Sequence, residues 1–294
     1  MSNTSDQNLR TASVVTGTDT EIRPGRVLNV AHHAAPSGSP HASSTVFLAH
    51  GGGGNKNQWR YQWKYLVEAG YNVIAWDFLG HGSSPRPSPR SAQAYQGEQT
   101  LLDYLAIFER YKRAHNVLAG HSLGTRSTLG VLQKLAAQQR LTEVHAVLLL
   151  GTQLAGPSLG GVLDLPPSLF GLLKPLLARR FRRLAWHPDS DPVLVDYESR
   201  VSSGNSTTVM QAVIRNVSVL EPERLDELRL PVTVVSGDRD GLTPALGGKA
   251  LADKLPQAAF IELKDCGHQI MLEKPELVNQ LLRGLLALQQ PVGL

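Results

Sequence analysis

The chain is expected to fold as an α/β protein: a mostly parallel central sheet flanked by helices, with a helical insertion over one end. Three observations carry this expectation. Short apolar runs rich in Val, Leu and Ile alternate with helix-length segments from about residue 45 to residue 152, the pattern of a parallel sheet covered on both faces. The alternation stops between residues 153 and 228, where prolines at 157, 166, 167, 175, 188 and 192 punctuate helix-like pieces. It then resumes toward the end of the sequence.

Residues 1 to 22 are polar and aperiodic and are expected to form a loose tail. "RVLNVAHHA" follows as a candidate edge strand. "TVFLAH", "YNVIAWDF", "HNVLAG" and "HAVLLLGT" are four to eight residues long and bounded by turn residues, as buried strands are. The segments between them, "QWRYQWKYLVEAG", "QTLLDYLAIFERYKRA" and "LGTRSTLGVLQKLAAQQR", are long enough for helices. After the insertion come the strand "PVTVVSGD", a helix from about residue 244, the strand "AAFIELKD" and a last helix from about residue 275. Thr243 followed by Pro244 is an N-cap and first-turn signal, and Pro275 marks the other start. Leu277, Leu281, Leu285 and Leu288 are expected to form the apolar face of the last helix. The sequence thus divides into a tail (1–22), an α/β core (23–152 and 229–294) and a helical cap (153–228).

Composition bounds the function. There are 29 Lys and Arg against 25 Asp and Glu, a formal charge of +4, too mild to signal nucleic-acid binding. A single cysteine, Cys266, excludes an internal disulfide and is expected as a buried thiol at a strand end. The first residues lack a basic start followed by an apolar core, and no apolar run approaches the roughly 20 residues of a membrane-spanning helix. A cytoplasmic protein is expected. The stretch "LLKPLLARRFRRLAW" sets apolar residues beside five positive charges, a composition compatible with weak contact to a membrane surface or an anionic substrate, or with an ordinary solvated helix.

Two segments match G-x-S-x-G: "GHSLG" around Ser122 and "GPSLG" around Ser158. The pattern serves chemistry only where the serine sits on a tight turn between a strand and a helix, so that its hydroxyl is exposed and the next amide faces a developing oxyanion. Ser122 has a strand before it and a helix after it. Ser158 follows Pro157 and runs into Pro166-Pro167, so a loop serine is expected there. A serine nucleophile needs a base, and the base needs an orienting acid. Of ten histidines, only His268 lies beyond the strand "PVTVVSGD" and its trailing acids, Asp238 and Asp240. The run "HGGGGN", His50 to Asn55, ends another strand and offers bare amides to a ligand atom; a flexible turn is the alternative for this segment taken alone. It is no P-loop, because Lys56 follows Asn55 and no Gly-Lys-Ser/Thr is present, and it lacks the third glycine of a dinucleotide fingerprint. No metal-ligand spacing of the His-Glu-x-x-His kind occurs, and no cofactor is expected.

With these motifs in place, the chain resembles the α/β-hydrolase superfamily, in its abhydrolase-domain branch. "HGGGGNKNQW", "DFLGHGSS", "GHSLG", "GDRDGLTP" and "CGHQIMLEKPELV" occur in family order over roughly residues 27 to 290, with 153–228 in the cap position. The resemblance implies Ser122 as nucleophile, Asp240 as acid, His268 as base and the amides of Gly52 and Leu123 as the oxyanion hole. The implied substrate is a small-molecule carboxylic ester, with lipid-like esters among the candidates. Thioester, amide and C–C hydrolysis use the same machinery, and a non-catalytic receptor on this fold is the cross-class alternative. Leucines at 169, 172, 173, 176 and 177, with Phe170, are expected to face the nucleophile and to favour medium or long acyl chains.

Overall fold

The computed structural model describes residues 14–88, 92–154, 165–215 and 220–288. Eight strands form one sheet: β1 (Thr18–Arg23), β2 (Arg26–His33), β3 (Ser44–Ala49), β4 (Asn72–Trp76), β5 (His115–His121), β6 (Ala146–Leu150), β7 (Val232–Gly237) and β8 (Ala258–Leu263). Their spatial order is β1-β2-β4-β3-β5-β6-β7-β8. The β1–β2 and β2–β4 pairs are antiparallel, and every pair from β4 to β8 is parallel.

Strands β3, β4 and β6 are buried throughout, and β5 at every residue but its first, because helices cover both faces: α1 (Arg60–Glu68), α2 (Gly97–Tyr111), α3 (Leu123–Ala137), α8 (Ala245–Ala252) and α10 (Pro275–Ala287), with the short α9 (Ile270–Glu273) before the last. This is why they read as continuous apolar runs and not as alternating ones. The segment between β6 and β7 supplies α4 (Pro167–Leu172), α5 (Lys174–Ala185), α6 (Pro192–Ser203) and α7 (Thr207–Arg215). Ser158 lies outside the described residues.

Three expectations change. The tail does not extend to residue 22: Thr18–Arg23 pairs with β2 through the turn at Pro24-Gly25, with Thr18 opposite Val30 and Arg23 opposite Arg26. Strand "RVLNVAHHA" is therefore not an edge, and the polar composition of β1 is that of an outermost strand with few apolar contacts to make. In α10 the buried residues are Val278, Leu282, Leu285 and Leu286, while Leu277 and Leu288 face solvent. The leucine spacing marked a helix, but the packing of α10 against α1 and β6 chose a neighbouring face. Of the leucines expected to face the nucleophile, Leu169, Leu172 and Leu176 face solvent instead, at 49%, 76% and 65% exposed, while Leu173 and Leu177 are half-buried; the Phe170 side chain lies outside the described ones.

Chain order reverses between β4 and β5, which lie on opposite sides of β3. A crevice opens at the carboxyl ends of strands at such a switch point. In this sheet that point lies between the glycine run after β3 and Ser122 after β5.

Candidate active site

Register brings the two loops together. Ala49 pairs with Gly120, so His50 and His121 leave their strands side by side, and a Cβ added to Gly51 would lie 3.2 Å from Ser122 Cβ. Ser122 has φ 51° and ψ −114°, a left-handed conformation that costs a non-glycine residue about 1–3 kcal/mol. Its amide is tied to Leu150 O at 2.9 Å, and α3 starts at the next residue. The flanking glycines have steric reasons: a Cβ on Gly124 would sit 2.3 Å from Ala49 O, and one on Gly120 would sit 2.7 Å from Gly124 O. The serine stands between them because strand, turn and helix backbones are in contact there.

His268 follows β8 and is 2% exposed. Its Nδ1 lies 2.7 Å from Asp240 Oδ2. The Asp240 carboxylate also accepts from Leu242 N and Thr243 N, both at 2.8 Å on Oδ1, and from Thr243 Oγ1 at 2.6 Å on Oδ2. Burial opposes its ionisation, but the His268 charge and these donors outweigh that and hold its pKa below the ordinary Asp value. Asp238 takes a different place, accepting from Cys266 N at 3.2 Å and so bracing the loop that carries His268. Cys266 is fully buried, and burial pushes its thiol pKa far up, so it is held as an inert thiol.

Thr243 was expected as a helix cap. It is not one: Pro244 stands at the N-cap of α8, and the Thr243 hydroxyl instead bonds to Asp240 and lies 3.1 Å from His268 Nδ1. With Nδ1 committed to Asp240 and Thr243, the unengaged ring nitrogen of His268 is Nε2. No hydrogen bond joins it to Ser122 Oγ in this structure; such contacts often tighten only when substrate is bound. Among the described residues, the amides of Gly52 and Leu123 donate no internal hydrogen bond, whereas Gly51 N is taken by Gln58 Oε1 at 3.1 Å and Gly54 N by Gly51 O at 3.1 Å. No group of three or more His, Cys, Asp or Glu among the described residues is placed to hold a metal ion.

Residues 46–281 match the model of the Alpha/beta hydrolase family. This chain belongs to that family. It is 32% identical over 255 residues to protein ABHD8 of Bos taurus, an alignment covering 83% of this chain and 56% of that protein. The chain thus spans about half the length of the ABHD8 proteins it matches. An esterase from Exiguobacterium antarcticum superposes with a TM-score of 0.78 at 17% identity, covering 94% of this chain and all of that one. A bromoperoxidase from Bacillus anthracis gives 0.75 at 18%, over 92% of this chain and 100% of its own. At such identities these two likenesses speak to the fold.

Several residues inside the quoted motifs position this alpha/beta hydrolase site without a role that the sequence assigns them. Lys56, which ruled out a P-loop, is buried with its Nζ 2.7 Å from Asp77 Oδ2, and its amide donates to Asp77 Oδ1 at 2.8 Å. This pair pins the end of the glycine loop to the turn after β4. His50 accepts from Phe78 N at 3.0 Å on Nε2, while Nδ1 donates to Gly51 O at 2.7 Å, which fixes its tautomer. Gln58 joins Gly51 N to Gln269, beside His268. His121 Nε2 donates to His268 O at 2.9 Å. Burial, reinforced by a neighbouring histidine in each case, lowers the pKa of both His50 and His121 to about 3, so both are neutral near pH 7.

The helical segment closes over these loops. A Cβ on Gly53 would lie 3.5 Å from Met210 Cε of α7, and Asn205 Nδ2 donates to Gly53 O. Met210 thus lies over the glycine loop, within 3.9 Å of a Cβ added to Gly52. At the end of α5, Leu184 O accepts from Gly241 N at 2.9 Å and Ala185 O from His268 N at 2.8 Å.

Proposed function

We propose that this protein is a serine hydrolase that cleaves a carboxylic ester through an acyl-enzyme on Ser122. The observation that carries the reading is the strained Ser122 turn at the same sheet end as a buried Asp240–His268 pair whose Nδ1 is already committed. In the proposed cycle His268 Nε2 takes the Ser122 proton while Oγ attacks the ester carbonyl. The developing oxyanion is received by the Gly52 and Leu123 amides. Collapse of the tetrahedral intermediate expels the alcohol, which takes the proton from His268. Water, deprotonated by His268, then releases the acid and restores the serine. Asp240 stabilises the imidazolium in both halves. Met210 over the glycine loop gives the acyl or alcohol part an apolar surface.

The test is covalent. A fluorophosphonate is expected to label the wild-type protein and Ser158→Ala but not Ser122→Ala, and esters of graded acyl length are expected to be turned over by the first two alone. Labelling that survives Ser122→Ala removes the assignment. Absence of labelling and of turnover in the wild type favours a non-catalytic receptor.

A further inference from the structure

The helices α4 and α5 carry a surface that the site does not use. Leu173 between them keeps a right-handed helical conformation (φ −81°, ψ −6°), so residues 167–185 run as an almost continuous rod of about 28 Å. Leu169, Leu172, Leu176, Arg180 and Arg183 recur at intervals of three and four, with Arg179 beside Arg180 on the same side, one outward stripe. The three leucines are about half to three-quarters exposed, and the three arginines are exposed too. The packed side of α5 is narrow: Leu177 and Leu184, about a quarter-turn from the stripe, are half-buried, and Ala185 at the inner end is buried, while Ala178 and Phe181 are exposed. Arg182, off the stripe, pairs with Asp196 at 2.6 Å, whereas Arg179, Arg180 and Arg183 form no ion pair with a described residue.

Charge is concentrated here. Residues 167–185 hold five of the chain's 29 cations and none of its 25 acids, so the rest of the chain carries one more acid than base. The whole positive excess lies on this rod. Arginines alone would suit any polyanion, but the stripe continues directly into large exposed leucines. That pairing fits an interface where an anionic layer overlies an apolar phase, with arginine stems lying along the apolar part and guanidinium groups in the charged one.

We propose that the outward face of α4 and α5 docks the protein onto a membrane surface bearing anionic phospholipid. The proposal goes beyond the ester-hydrolase reading and stands without it. Geometry gives docking a route to the site, because the inner end of α5 holds the Asp240 and His268 loops through the Leu184 and Ala185 carbonyls, and α4 packs on α7, which carries Met210.

Vesicle flotation of the full chain tests it, using phosphatidylcholine alone and phosphatidylcholine mixed with phosphatidylserine, at low and high salt. Binding is expected only to the mixed vesicles and is expected to weaken with salt. The triple variant R179Q/R180Q/R183Q should lose about 100-fold in partitioning, from the contribution of each basic residue near an anionic surface. L172S/L176S should lose about 10-fold or more. These positions are exposed, so unchanged circular dichroism is the control for folding. Ser122→Ala should float like the wild type, which separates failure of this proposal from failure of the catalytic one. No binding to mixed vesicles, or binding that the arginine variant leaves unchanged, overturns it. So does binding displaced by soluble polyglutamate and unaffected by L172S/L176S, which would show a site for soluble polyanions.

Discussion

Replacing Thr243 by valine keeps the side-chain shape and removes one hydroxyl, which makes it a sharp probe of how Asp240 is held. Asp240 Oδ2 accepts from Thr243 Oγ1 at 2.6 Å and from His268 Nδ1 at 2.7 Å. The Asp240 side chain is fully buried, so water is poorly placed to replace the lost donor. A hydrogen bond to a charged group contributes about 1.5–3 kcal/mol. If the acid supports a histidine that becomes charged in the transition state, that loss appears in the barrier as about 10- to 150-fold in kcat. Thr243→Ser restores the donor and is expected to stay near wild type. The sign of the pH effect follows from the same bond: the hydroxyl favours ionised Asp240, so its removal shifts protonation of that carboxyl to higher pH and moves the onset of acid inactivation with it. The measurement is a pH profile of kcat for both variants on a chromogenic ester. A folded Thr243→Val enzyme within about twofold of wild type, with an unmoved acid limb, would refute the reasoning.

Asp240→Asn is expected to lower kcat by up to about four orders of magnitude while the protein stays folded; Asp238→Asn should retain most activity and show its damage in thermal melting, and the reverse ranking would move the acid role to Asp238. Gly151→Ala places a Cβ 3.0 Å from the His268 ring on a backbone with φ +58°. A loss of at least about tenfold in kcat is expected, since small misplacements of a catalytic group cost this much or more; unchanged kinetics would show that the ring is free to shift. His50 and His121, held neutral down to about pH 3, refuse protons that the unfolded chain accepts below its ordinary histidine pKa of about 6.5. Their contribution is therefore complete above that pH and lost as the pH falls toward 3, at about 1.4 kcal/mol per pH unit for each. Urea midpoints should drop between pH 7 and pH 5, and less so in a His50→Gln variant that still folds; equal slopes would contradict the assignment.

What the sequence determined by itself is what neighbouring residues impose on each other. Apolar runs such as "NVIAW" and "AVLLL" specify buried strands because no polar face is left to show water. The Ser122 turn is legible for the same local reason: a strand, two glycines and a helix start within ten residues leave few backbone paths. The order of serine, acid and histidine also follows from the chain. Tertiary structure decided matters in which partners are far apart in sequence. Whether Asp238 or Asp240 meets His268 depends on how the loop after β7 leaves a strand paired with β8, and Gly237 opposite Leu263 sets that geometry. Thr243 looks like a helix cap from its neighbours and becomes a partner of Asp240 and His268 only when the His268 loop folds against it. Lys56 and Asp77 lie 21 positions apart, and Gln58 and Gln269 lie 211 apart, joined because β3 and β4 are adjacent and α9 packs beside the start of α1. The buried face of α10 and the outward stripe of α4 and α5 were settled likewise. Helical spacing fixes which residues share a side, but only the neighbouring elements determine which side meets water.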